Sequence, residues 1–145
     1  MNARISILGF LAAVAGLAGL LVRGELFSPD PVLIALQVFA FALMVWARIT
    51  FGLRSFHAAA STTEGELVTR GPFAFVRNPI YAAVILFACA GAAGHPNLAS
   101  GALALLVLAG MLVRILAEER ELRVRYGDAY SEYCRRVKRL LPGLY

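Results

Sequence analysis

Ile5-Ser-Ile-Leu-Gly-Phe-Leu-Ala-Ala-Val-Ala-Gly-Leu-Ala-Gly-Leu-Leu-Val22 is an unbroken apolar run without a single charge. At about 1.5 Å of rise per residue, a helix of this length crosses the hydrocarbon core of a bilayer, roughly 30 Å thick. Arg23-Gly-Glu-Leu-Phe-Ser-Pro-Asp-Pro31 then breaks the run with Gly24, Pro29 and Pro31. A second run extends from about Val32 to Ile49, with Trp46 and Arg48 near its end as interfacial anchors. The start of the chain carries no small-x-small cleavage site followed by a polar mature segment, so the first helix is expected to be retained.

Two further runs complete the pattern. Ile80 to about Gly94 is short, His95-Pro96-Asn97 makes a tight turn, and Leu98 to about Ala117 follows, so the last two runs read as a helical hairpin. From Glu118 the pattern changes to a charged helix with Leu122, Tyr126, Tyr130, Tyr133 and Val137 at spacings of three and four. That is an amphipathic tail over 118–140, lying at the interface or against a loop, and Pro142 ends it. The expected fold is all-α and integral to a membrane. It is one domain, 1–145, of about four transmembrane helices (5–22, 32–49, 80–94, 98–117) plus the C-terminal amphipathic helix.

Composition agrees. Of the 145 residues 60% are hydrophobic, more than a water-soluble domain of this size requires. The charged 16% is unevenly spread: of the 14 Lys and Arg, all but Arg4 and Arg23 fall within 48–77 or 114–139. An isoelectric point near 9.8 is compatible with nucleic acid, but these basic residues flank apolar spans, so anionic lipid headgroups are the expected partner and nucleic acid is not. The same imbalance puts the long loop, the tail and both termini on the cytoplasmic side of an inner or plasma membrane of bacterial type.

Several chemistries are argued against by what the residues lack. Cys89 lies mid-span and Cys134 in the basic tail, so neither a disulfide nor a metal site is expected. His57 and His95 have no second ligand at metal spacing, and Ser61-Thr62-Thr63 has no paired base. No Asp or Glu lies deep in a span, which removes the usual signature of a proton-coupled pump.

The residues with chemistry fall in two segments. Within the long polar connection over 50–79, Glu66 to Tyr81 holds two proline-directed turns, Gly71-Pro72 and Asn78-Pro79, with Phe73 and Phe75 between them. In the second segment, Arg114 and Glu118 lie four apart and share a helix face at the end of the fourth span, while Glu119 and Glu121 point elsewhere. From the residues alone, Arg114 either snorkels to headgroups with Glu118 as its surface partner or serves a site.

These segments resemble the membrane-embedded methyltransferases that include isoprenylcysteine carboxyl methyltransferases and phospholipid N-methyltransferases. The resemblance rests on Leu67-Val-Thr-Arg-Gly-Pro-Phe73, Arg77-Asn-Pro-Ile-Tyr81, the hairpin, Glu118-Glu119, Tyr126-Gly-Asp-Ala-Tyr-Ser-Glu-Tyr133 and the closing Pro142, in order over residues 65–142. It implies S-adenosylmethionine as methyl donor, contacted at Gly65, Glu66, Leu67, Val68, Phe73, Asn78, Pro79, Ile80, Tyr81 and Glu118. It implies substrate positioning by Arg114 and no metal. Asn78 stands where the family usually has His, and Phe73 where it has Tyr. An asparagine amide still hydrogen-bonds but does not titrate near neutral pH.

Methyl transfer from a sulfonium is a displacement in which alignment supplies most of the catalysis. A carboxylate acceptor is already ionised and needs only an orienting cation, which Arg114 can provide. An amine acceptor needs a proton acceptor, a role open to Glu118 or, more weakly, Glu119. Carboxyl O-methylation of an isoprenylcysteine-like, lipophilic acceptor is the leading expectation. Phospholipid N-methylation and a non-catalytic membrane binding protein of the same fold are the alternatives.

Overall fold

The computed structural model describes residues 3–52, 67–143 and 145. Of the residues singled out above, His57, Ser61, Thr62, Thr63, Gly65 and Glu66 lie outside them. Four α-helices account for most of what is described: α1 (Ala3–Val22), α2 (Pro31–Phe51), α3 (Pro79–Ala93) and α4 (Leu98–Arg136). A 3₁₀ turn, Gly71–Ala74, precedes α3. No β-strand forms among the described residues; Val76 and Lys138 make one isolated parallel bridge. The protein is an all-α membrane protein.

The helix starts follow from local chemistry. Asp30 Oδ1 accepts from the backbone N–H groups of Val32 and Leu33 at 2.9 and 3.1 Å, and Pro31 opens α2 with its φ already set. Asn97 caps α4 by accepting from Ser100 N at 3.0 Å. The helices α1, α2 and α4 are long and apolar enough to cross a membrane. With 15 residues, α3 rises about 22 Å, less than a full hydrocarbon core. The helix of the fourth apolar run does not end with that run: α4 continues from it into the charged segment, because Glu, Arg and Leu from 118 onward are strong helix formers. The interruption falls at Gly127, whose φ of 51° is one that L side chains rarely adopt.

In space the order is α1, α4, α3, α2, each packed on the next. The α1 face toward α4 is Ser6, Gly9, Ala13, Gly16 and Leu20, at spacings of three and four, all buried. Small residues there let the backbones approach closely, the usual basis of helix association in lipid. A β-carbon on Gly9 would sit 2.8 Å from the Gly110 carbonyl oxygen, and one on Gly16 2.8 Å from that of Leu103. Ala13, Leu20, Ala88, Ala92, Ala104, Val107 and Met111 form the core between α1, α3 and α4.

Polar residues tie the two ends. At one, Arg23 pairs with Glu25 at 2.8 Å, Asn97 Nδ2 donates to Glu25 Oε1 at 3.0 Å, and His95 Nε2 lies 2.9 Å from the Phe27 carbonyl oxygen. Buried Gln37 donates to the carbonyls of Leu26 and Phe87 and accepts from Ser28 N. The loop after α1 and the turn after α3 therefore share one end of the bundle. The 71–78 segment and the charged end of α4 meet at the other.

Candidate functional site

The far end of the bundle is assembled in steps from the 3₁₀ turn. Pro72 and Phe73 are buried, with the Phe73 ring 5.7 Å from Phe51 and the Phe75 ring 6.4 Å from Trp46, so the turn docks on the end of α2. Tyr133, beyond the Gly127 break, donates its hydroxyl to the Phe73 carbonyl. Val76, Arg77 and Asn78 then run beside the tail. Arg77 N donates to Lys138 O at 2.8 Å, and Asn78 N to Arg139 O at 3.1 Å. Pro79 starts α3 and brings Tyr81 to the α4 face that carries Arg114 and Glu118.

Two clusters result. In the first, Tyr81 Oη donates to Glu118 Oε2 at 2.7 Å. The Arg114 guanidinium, on a residue only 6% exposed, lies 5.1 Å from the ring centre of Phe10 and 6.0 Å from that of Tyr81. The two rings offset part of the cost of burying a cation there. Arg114, Glu118 and Tyr81, named from the sequence, are thus brought together.

The second cluster centres on Glu119, also buried. Its Oε1 accepts from Arg77 Nε and Nη2 at 3.2 and 3.0 Å and from Asn78 Nδ2 at 3.1 Å. Its Oε2 accepts from Arg139 Nε and Nη2 at 3.1 and 2.9 Å. The hydrogen bonds to Glu119 hold the Arg139 guanidinium above its usual pKa. Asn78 Nδ2 also donates to Arg139 O at 3.2 Å.

Glu118 and Glu119 are neighbours in sequence, and about 100° of helical rotation sends them to different partners. Leu67 and Val68 are half-buried in the irregular segment before the turn, Pro79 is buried and Ile80 half-buried. Sequence reasoning missed three participants. Phe10 is one apolar residue within an apolar run and gave no signal. Arg77 stood in the quoted motif without a role. Arg139 was one basic residue among many.

The first cluster sets an aromatic ring and a carboxylate side by side. The Tyr81 face can stabilise positive charge, and the Glu118 carboxylate can accept hydrogen bonds from an amine or hydroxyls. A family model described as phospholipid methyltransferase matches residues 29–129, more than half of the chain. No curated protein and no solved structure matches it.

Proposed function

The chain belongs to the phospholipid methyltransferase family, and on that premise we propose that it transfers a methyl group from S-adenosylmethionine to a lipophilic acceptor taken from the bilayer. The observation that carries this reading is the meeting of Arg114, Glu118 and Tyr81 where α4 emerges from its apolar span. S-adenosylmethionine, when bound, supplies an electrophilic methyl group on a positively charged sulfur. Tyr81, Glu118, Asn78, Pro79, Ile80 and Phe73 would hold it, with Gly65, Glu66, Leu67 and Val68 leading into the same segment. The residues of the chain act by binding and alignment. Tyr81 and Glu118 fix each other, the packed helices exclude water, and no proton has to move if the acceptor is a carboxylate.

For the acceptor, the leading reading is a carboxylate on an isoprenylcysteine-like molecule. Arg114 supports it: its guanidinium lies by the Phe10 and Tyr81 rings at the site, where a cation can orient a carboxylate. Phospholipid N-methylation is the second reading, supported by the description of the matching family. There Glu118 would take the amine proton. Both readings have the chemistry on the basic side of the membrane, with both termini there.

Calorimetric titration of the purified protein with S-adenosylmethionine tests the common part. Saturable binding is expected, weakened by Glu118→Ala and unaffected by Glu121→Ala. Absence of binding by the folded wild-type protein would overturn the reading.

A further inference from the structure

The second cluster does something the proposed reaction does not itself require. Residues 137–139 lie beyond the end of α4 and 60 or so residues after the segment they touch, yet they are stitched to it through both backbone and side chains. Backbone bonds run from Arg77 N to Lys138 O and from Asn78 N to Arg139 O. Side chains close the same seam. Glu119 takes Arg139 on one oxygen and Arg77 with Asn78 on the other. Both oxygens of Glu119 are therefore engaged by donors, four of them from guanidinium groups, which suits an anchoring carboxylate better than a proton acceptor.

We propose that Arg139 is a positioning residue of the methyl-donor site: acting through Glu119, it latches the C-terminal segment onto Arg77 and Asn78. The latch thereby fixes the first turn of α3, which carries Tyr81. This rests on the reading that Tyr81 and Glu118 bind the donor. Asn78 completes the latch because its single amide nitrogen donates at once to Glu119 and to the Arg139 carbonyl. A tail that is free to lift would take the Lys138 and Arg139 carbonyls away from Arg77 N and Asn78 N and leave Glu119 with one guanidinium partner in place of two. Glu119 is then assigned to holding the site in shape, and proton acceptance falls to Glu118 alone.

The test uses Arg139→Ala and Arg139→Lys, with Arg135→Ala as control, since Arg135 is exposed and pairs along its own helix with Glu132. Amide hydrogen exchange on the protein in lipid nanodiscs, without any ligand, reads the latch directly. In Arg139→Ala the amides of Arg77 and Asn78 should exchange faster while α1 is unchanged; unchanged exchange at 77–78 overturns the latch. Calorimetry and kinetics read its consequence. Arg139→Ala should weaken S-adenosylmethionine binding about tenfold, roughly 1.4 kcal/mol, and raise its KM with kcat nearly kept. Arg139→Lys, which keeps one charged bond to Glu119, should recover part of the affinity. Unchanged affinity in Arg139→Ala, or a fall in kcat at constant KM, overturns the positioning role. Wild-type protein that binds no S-adenosylmethionine sinks the proposed function instead, and the exchange result still decides whether the latch exists.

Discussion

Replacing Gly110 by alanine adds one methyl group at the tightest contact between α1 and α4. Its β-carbon would sit 2.8 Å from the backbone nitrogen of Ala13 and closer still to the Gly9 carbonyl oxygen. Ordinary contact begins at about 3.5 Å, so the two helices must part by roughly 1 Å. A gap of about 0.5–1 Å forfeits roughly a quarter to a half of each dispersion contact across it. Ala13, Leu20, Val107 and Met111 share that seam, and in lipid no hydrophobic force makes good the loss. Overpacking of this kind costs about 1–3 kcal/mol. Gly101, on the same helix, has nothing within 4 Å of its would-be β-carbon. Alanine there should help by about 0.5–1 kcal/mol through helix propensity. Denaturant unfolding in one fixed detergent compares the two: Gly110→Ala should be destabilised and Gly101→Ala neutral or stabilised. Equal effects at the two positions would refute the close-approach argument. Turnover offers a second reading, because Phe10 adjoins Gly9 and Arg114 lies one turn past Gly110. Parting the helices draws the ring off the guanidinium.

Arg114→Lys should lower turnover on a carboxylate acceptor at least tenfold, since an ammonium cannot reproduce the guanidinium fork and about 1.4 kcal/mol is already a factor of ten. Donor affinity measured in parallel should hardly move, and retained turnover on a prenylated cysteine acceptor would remove Arg114 as the support for the carboxylate reading. Topology is read by cysteines placed singly at Pro96 and Asp128 in a chain lacking Cys89 and Cys134. A membrane-impermeant maleimide should label the two from opposite sides, and labelling of both from one side is incompatible with four crossings.

The apolar runs could be read at once because nothing but a bilayer covers so much hydrocarbon. Which helix packs on which could not. In lipid every face of α1 is apolar, so hydrophobic periodicity carries no direction, and only the small residues Gly9, Ala13 and Gly16 mark the buried side. Hydropathy changes at Ala117, whereas the backbone of α4 follows helix propensity through that point and yields at Gly127. At the site the same division recurs. Arg114 and Glu118 were legible from their spacing of four, and Tyr81 from the motif that holds it. Phe10 was not legible, since a residue whose role is to lay a ring on a cation looks like any other apolar residue in a span. Nor was the use of Glu119. A helix turns about 100° per residue, so two adjacent glutamates cannot serve one neighbour, and the second must find its own. What it finds is Arg139, 20 residues on and beyond a glycine break, a distance over which no local spacing rule operates. The pair Glu118–Glu119 therefore joins two tasks at one point of α4: one carboxylate faces Tyr81 and Arg114, and the other holds the chain segments that keep Tyr81 there.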